Sequence, residues 1–409
     1  MTKAALPLSG VRVLDLSRVL AGPYCSLVLA DMGADIIKIE STTTGDDSRT
    51  FSVPSIEGHS VYFMHVNRNK RSVAIDLKAP AGKEAFRRLV AKSDIVLENF
   101  RTGVMERLEL GYERLKQIKP ELVYCAISGY GRSGPNVHVP GYDPVAQAES
   151  GFMSMNGEPD GEAQRTGPSI VDMVCGLFAA QSITAALRHA ERTGEGRFIE
   201  ASLYETGMNM LINFAGSYLV TGQEATRAGN TNQVAQPAGV YQASDGPFML
   251  SVITDAQFTK LCRDVIERPD LLEDARFTSN PLRVENMDAL KQALGELFAS
   301  RTREDWVTRL RAADVPVGSV ASISEALTSD ITQARDVVQN VSHSGIGSYP
   351  ALMGPVRLHD SEPTPLNGAP LLGEHTREVL RDVAGLDPAL IATLEEAGVI
   401  KSAAVNSAT

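Results

Sequence analysis

Val11-Arg12-Val13-Leu14-Asp15-Leu16 alternates like a strand, and the segment directly after it decides the fold. Gly22-Pro23 comes next, and proline suits a first helical turn. Tyr24 to Met32 reads as a helix, closed by Gly33. Asp35-Ile36-Ile37-Lys38-Ile39-Glu40 is then a second strand. This is a β-α-β unit with an acid at the end of its second strand, the layout of a dinucleotide-binding start. The linking turn, however, is Val19-Leu20-Ala21-Gly22-Pro23 and not G-x-G-x-x-G. Without those glycines a pyrophosphate cannot approach the helix backbone in the usual way, so an NAD dehydrogenase is disfavoured.

The alternation continues outward. Strands are expected at Ser72–Leu77, Asp94–Phe100, Leu122–Ile127 and Phe198–Leu203, with helices at Ala81–Ala91, from Asp172 to about His189, and Glu205–Leu219. The fold class is therefore α/β: a Rossmann-like, doubly wound large domain with a mainly parallel sheet. Ligands in such sheets bind at the carboxyl ends of strands. The loops at Arg18–Ala21, Asn99–Arg107 and Ser128–Tyr142 are the places to look. Residues 1–220 form the N-terminal part of this domain, and 221–238 are polar and read as a linker. Residues 239–320 make a small α+β domain around a hairpin turning at Ser244-Asp245-Gly246. Residues 321–409 return to the large domain as loops, short helices and prolines.

Composition narrows the function. Of 409 residues, 43% are hydrophobic and 22% charged, ordinary for a soluble globular chain. No uncharged apolar run reaches the length of a membrane span, and Met1–Pro7 is too short and polar for a secretory signal. A cytoplasmic protein without a membrane partner is expected. The net charge of -11 argues against nucleic acid. Basic residues do cluster at Arg68, Lys70 and Arg71, where the ordinary expectation is a solvated loop. Cys25, Cys125, Cys175 and Cys262 form no C-x-x-C pair and read as buried small hydrophobes; no metal site is expected.

One acid stands out. Gly167-Pro168 leads through Ile170-Val171 to Asp172, and an apolar, Ala-rich run extends from Met173 to Leu187. Position alone favours a helix cap, since Asp is a preferred N-cap and caps far outnumber nucleophiles.

Several short stretches, in this order and spacing, resemble the class III CoA-transferases. They are Ala21-Gly22-Pro23, Asn69-Lys70-Arg71-Ser72, Glu98-Asn99-Phe100, Gly129-Tyr130-Gly131, Gly141-Tyr142-Asp143 with Gln147-Ala148, Asp172 with Gly176, Thr193-Gly194-Glu195-Gly196, and Pro370 to Thr376. The resemblance runs from about Leu8 to Val399. It implies that Asp172 is a covalent nucleophile, one that the helix N-terminus would also stabilise as an anion. The donor thioester would give an aspartyl mixed anhydride, then an enzyme–CoA thioester, then transfer to the acceptor acid. It further implies CoA contacts at Leu20, Ala21, Ile75, Lys78, Asn99, Phe100, Arg101, Arg107 and Tyr142. As ordinary residues, Lys78 and Arg107 would be surface charges and Phe100 core. Acyl-CoA and a carboxylic acid would be the small-molecule partners, with no tightly bound cofactor, and the chain would form an interlocked homodimer.

Leu20, Ser41 and Pro140 stand where formyl-CoA transferase has Gln, Arg and Lys, and that enzyme's glycine-rich loop is missing, which argues against formyl-CoA and oxalate. The sequence around Val66–Ser72 looks most similar to succinyl-CoA-dependent dicarboxylate transferases of the glutarate type. Two other readings share the scaffold. A 2-methylacyl-CoA racemase needs two acid/base groups, and this chain has Tyr142 where racemases place a histidine. A non-catalytic CoA-binding protein would have no use for Asp172.

Overall fold

The computed structural model describes residues 4–403. Six strands form a parallel array: β1 (Arg12–Asp15), β2 (Asp35–Glu40), β3 (Lys70–Ile75), β4 (Ile95–Glu98), β5 (Val123–Ser128) and β6 (Phe198–Ser202). Their spatial order is β3-β2-β1-β4-β5-β6, and the short strand Ile400–Lys401 adds antiparallel to β3 at the edge. Chain order reverses between β1 and β4, so a crevice opens there at the carboxyl ends of the strands. The β-α-β start expected from the sequence is present, with α1 spanning Ala21–Asp31.

The strands are short, and almost every residue is buried because both faces are covered. Leu14, Ile37, Val96 and Tyr124 point to one face, against Phe86 and Leu89 of α2 (Pro80–Val90) and the C-terminal residues Val379, Leu380, Ile391 and Leu394. Their neighbours Val13, Ile36, Ile95, Leu97, Val123 and Cys125 point to the other. That second face packs on α1 and on a long helix, Ile170–Thr193. By length and composition this helix is apolar enough to cross a membrane, which the sequence reading did not anticipate. In the fold it is a core helix, with Val171, Cys175, Ala179 and Ile183 among its buried residues. A fully buried side chain the size of Val171 or Ile183 contributes about 1.5–3 kcal/mol. All four cysteines are buried and unpaired.

The basic cluster at Arg68, Lys70 and Arg71 is not a solvated loop. Arg68 is 2% exposed and forms a two-pronged pair with Asp31, both contacts at 2.5 Å. Arg71 pairs with Asp35 and Glu378. Lys70 is buried and donates to Asp15 at 3.2 Å, to the Pro23 carbonyl at 2.9 Å and to Asn67 at 2.9 Å. A buried charge is tolerated only when paired, and these three are spent on tying β3 and the turn before it to β1, α1, β2 and Glu378. Burial, partly offset by Asp15, pulls Lys70 down to about 8. With three acceptors around it, the amine remains an ammonium at neutral pH.

By contact density the chain divides into two compact units. One comprises Met1–Phe152, Arg165–Gly216 and Gln333–Thr409; the other comprises Met153–Gln164 and Ser217–Thr332. The second contains the expected hairpin, Ala238–Ala243 with Gly246–Ser251, and a third strand, Val317–Ser319. Its core is built on Tyr241, Phe248, Phe298 and Trp306, whose rings meet edge to face. Two details differ from the sequence reading. Glu205–Leu219 is two helices, Leu203–Asn209 and Ile212–Thr221, separated by a turn with no glycine or proline to mark it. The C-terminal part contains a hairpin, Val338–His343 with Gly347–Leu352, where only loops and short helices were expected.

Candidate functional site

The site begins at the crevice between β1 and β4. Asn99, just after β4, ties the two strand-end loops together: its carbonyl accepts the Arg18 N–H at 2.8 Å and its amide donates to the Arg18 carbonyl at 2.8 Å. The loop after β1 is held from below by a second buried pair. Lys38 contacts Asp46 at 2.9 Å, and Asp46 accepts the Val19 N–H at 3.1 Å. Val19 sits in the left-handed region at φ 66, a position rare for a β-branched residue, and this anchoring holds it there. Glu40, the acid at the end of β2, is 5% exposed and gripped by Arg49 at 2.6 and 2.8 Å. In a dinucleotide site that acid would face a ribose; here its oxygens are already taken.

Two cavities open on these loops. One, of about 290 Å³, is lined by Leu20, Ala21, Asn99, Arg101, Tyr142 and Asp172, together with the Ser128–Gly131 and Val139–Gly141 segments. The other, of about 600 Å³, is lined by Ile75, Lys78, Arg107 and the Ser41–Thr43 loop. Arg18 and Phe100 line both. The Arg18 guanidinium lies over the Phe100 ring, 5.1 Å from its centre. The structure thus brings every sequence-predicted site residue onto two adjoining cavities. Leu20, Ala21 and Ile75 are buried walls, whereas Lys78, Arg101, Arg107 and Tyr142 are exposed. Among the described residues, no histidine lines either cavity. Nor, among them, is any group of three or more His, Cys, Asp or Glu placed to hold a metal ion.

Asp172 lies at the start of the long helix, α4 (Ile170–Thr193), with Asp143 beginning a shorter helix, α3 (Asp143–Glu149). Asp172 is not the cap that its position promised. It is the third residue of α4, and Ser169, at the cap position, makes no side-chain cap bond. The cap comes from α3: the Asp143 carboxylate accepts the Val171 N–H at 2.8 Å and the Asp172 N–H at 3.1 Å. The Ile170 N–H goes to the Pro168 carbonyl at 2.9 Å, so these first three amides of α4 are all satisfied. Asp143 is itself fixed by Gln147, whose carbonyl takes the Thr166 N–H at 2.9 Å.

Close backbone approaches set these pieces. A Cβ on Gly141 would lie 2.3 Å from the Gly129 Cα, so the segment leading into Tyr142 rests directly on the loop after β5. A Cβ on Gly176 would lie 2.6 Å from the Ala21 carbonyl oxygen, so α4 and α1 touch one turn beyond Asp172. No larger side chain fits at either place.

The expected stabilisation of the Asp172 anion by the helix start is not realised. Burial, and after it the charge of Asp143, push the Asp172 carboxyl up to about 7. Cys175, one turn on, is no rival nucleophile, because burial pushes its thiol up to about 12. Asp143 and Gln147 lie inside a stretch the sequence singled out, but their capping role was not readable there. Arg18 was within a loop marked for attention, with nothing to distinguish it.

The chain matches the family model described as CoA-transferase family III over residues 8–376. It is 35% identical to succinyl-CoA:glutarate CoA-transferase of Mus musculus, over 97% of this chain and 90% of the relative. It is 38% identical to acetyl-CoA:oxalate CoA-transferase of Acetobacter aceti, over 92% and 96%. Among solved structures, a CaiB/BaiF family protein from Brucella suis superimposes with a TM-score of 0.84 at 36% identity, over 93% of this chain and 100% of that one.

The raised Asp172 carboxyl has a consequence for stability. The folded chain holds that proton more tightly than the unfolded chain, whose aspartates titrate near about 3.9. Ionising Asp172 therefore costs stability as pH rises from about 4 to about 7, and the full cost persists above that. Asp172→Asn removes it. The melting temperature of the variant relative to the native chain should climb between pH 4 and pH 8 in thermal scans. A difference that stays flat across that range would contradict the assignment.

Proposed function

The chain belongs to CoA-transferase family III and is an enzyme of the CoA-transferase type; from that premise we propose that it moves CoA from succinyl-CoA to a free dicarboxylic acid through covalent intermediates on Asp172. One observation carries the reading. A partly buried carboxylate lines a cavity that continues, past Arg18 and Phe100, into a second cavity bearing Lys78 and Arg107. Acyl-CoA has this layout, with a reactive thioester at one end, a thin pantetheine arm, and phosphates at the other. Arg18 at the junction and Lys78 and Arg107 beyond it would pair with phosphate.

The chemistry follows from the placement. An Asp172 oxygen attacks the thioester carbonyl, the C–S bond breaks, and CoA leaves as thiolate with the charge Asp172 had carried. The thiolate then attacks the Asp172 carbonyl of the anhydride and releases the donor acid, leaving CoA as a thioester on the enzyme. The acceptor carboxylate attacks that thioester to form a second anhydride. The returning thiolate attacks its acceptor carbonyl, giving the new acyl-CoA and the free Asp172 carboxylate. The start of α1 has no side-chain cap and lines the same cavity, and its backbone N–H groups are the donors we assign to the developing oxyanions. Glutarate and oxalate, named in two relatives, are both dicarboxylic acids, which favours that acceptor class. The oxalate relative is set against the missing glycine-rich loop, so oxalate belongs in any substrate panel.

A homodimer, interlocked as the family resemblance implies, completes the proposal. Apolar side chains stay uncovered within one chain: Leu177 and Phe178 on α4, and Ile212, Leu219 and Val220 at 66%, 82% and 86% exposure on Ile212–Thr221. Such faces mark surfaces buried by association.

Four measurements test this. Succinyl-CoA incubated with mono- and dicarboxylic acids, followed by mass spectrometry of the CoA esters, should show new dicarboxylyl-CoA. Asp172→Ala should lower transfer at least about a thousand-fold, and transfer that survives sinks the mechanism. Arg18→Gln should raise KM about ten-fold or more for acyl-CoA but not for acyl-pantetheine, which lacks the phosphates. Equal losses on both would remove Arg18 from phosphate binding. Light scattering should give twice the 43.9 kDa chain mass, and a monomer would end the dimer reading.

A further inference from the structure

We propose that Asp143 is a positioning residue of the reaction: its fixed carboxylate, while capping the helix that carries Asp172, destabilises the Asp172 anion and is relieved each time Asp172 is acylated. This rests on the CoA-transferase reading above.

Asp143 is 3% exposed and Gln147 is fully buried. One Asp143 oxygen receives the Val171 and Asp172 N–H groups, and the other receives the Gln147 amide. Three N–H donors and no acceptor are what an ionised carboxylate takes. The group cannot swing away, because Gln147 is tied in turn to Thr166. Asp143 therefore consumes the positive end of α4, which would otherwise stabilise an anion in the first turn.

Asp172 is left without such help. Its carboxylate receives no hydrogen bond and forms no ion pair with a described residue. The titratable and charged groups around it come from several elements. Asp143 faces it from α3. Tyr62, on the helix Val61–Val66, feels the charges of Asp172, Asp46 and Asp143. Cys175 comes next on α4 itself. Arg18, Asp47, Arg101 and Tyr142 share its cavity wall. After burial, the charge of Asp143 is what raises the Asp172 carboxyl, and it has the same sign.

Acylation removes that repulsion. When an Asp172 oxygen bonds to the acyl carbon and the C–S bond breaks, the negative charge leaves with the CoA thiolate. The mixed anhydride is neutral at Asp172, and so is the enzyme thioester formed when the thiolate displaces the donor carboxylate. Asp143 thus raises the free anion relative to both covalent states and leaves those states nearly untouched. It tilts the exchange toward acyl-enzyme without touching the substrate. This is ground-state destabilisation by a like charge, with the geometry to support it.

Asp143→Asn is the test, on the full-length enzyme with succinyl-CoA. Two quantities are read: the midpoint of the acid limb of kcat/KM, and the fraction of chain carrying a CoA thioester by intact mass without acceptor. The proposal expects the midpoint to fall by about half a pH unit or more and the thioester fraction to drop several-fold. A variant that only loses melting temperature, with midpoint and thioester fraction unmoved, would show a helix cap and nothing more. If Asp143→Asn does not fold, Gln147→Met decides. It removes the N–H donor that fixes the Asp143 carboxylate beside Asp172, so the repulsion should relax and the midpoint fall, and a midpoint that stays or rises overturns the proposal. A native enzyme that neither transfers CoA nor forms any CoA adduct would instead refute the underlying function, before any variant is compared.

Discussion

A 24-residue apolar helix that starts inside a protein has a problem at its first turn. Its leading N–H groups have no partner within the helix, Val171 among them is fully buried, and an unmet buried donor costs about 1–3 kcal/mol. Ser169 does not solve it. The solution is a carboxylate from another helix, Asp143, and much of the site is arranged to deliver it. Gly141 rests on Gly129 so that the chain enters α3 at the right height. Gln147 and Thr166 hold the carboxylate in place. Once the helix start is satisfied in this way, Asp172 in the same turn has to live beside a like charge.

The other half of the site is fixed by buried ion pairs. Lys70 with Asp15, and Lys38 with Asp46, lie beneath the loop after β1 with no exposure at all. Such pairs are rarely a net source of stability compared with apolar residues, but removing one partner is severe. Here they specify a shape: Val19 is held in its left-handed conformation, and Ala21 follows it into contact with Gly176 of α4. The same network shapes this Rossmann-type start without the glycine fingerprint of a dinucleotide site. The loop is shaped by side chains from below and not by glycines, and Glu40 is already paired with Arg49.

The β-α-β frame was legible because its signals are local. Alternating apolar residues, a proline at the helix start and Gly33 at its end all act within a few residues. The charges were not legible. Arg68, Lys70 and Arg71 sit next to one another in sequence, yet their partners are 37, 55 and 36 residues away, with Glu378 a further 307 from Arg71. A string of cations reads as a solvated loop until the fold brings the acids to it. Asp172 shows the same limit. Its helix and its place at the first turn were readable, but its cap is 28 and 29 residues away from the amides it serves. The split at Met210-Leu211 escaped because no glycine or proline marks it, whereas the hairpin at Val338–Leu352 turns through Ser344-Gly345, a local turn signal that the sequence reading passed over.

The two halves meet in a division of labour that the topology explains. In an open parallel sheet the ligand lies over the carboxyl ends of the strands, at the switch between β1 and β4. Loops there can grip a long ligand, and Asn99, Phe100 and Arg18, tied to one another, are the residues we propose for that grip. Loops are poor places to hold a strained reactive group, since they relax. Asp172, the carboxylate we propose as nucleophile, is instead mounted on α4, which is pinned to α1 by the contact between Gly176 and Ala21. A rigid mount keeps two like charges near each other when each, if free, would turn toward water. The raised Asp172 carboxyl is therefore made by where the fold places it, through burial and the nearby Asp143, and not by the residue alone.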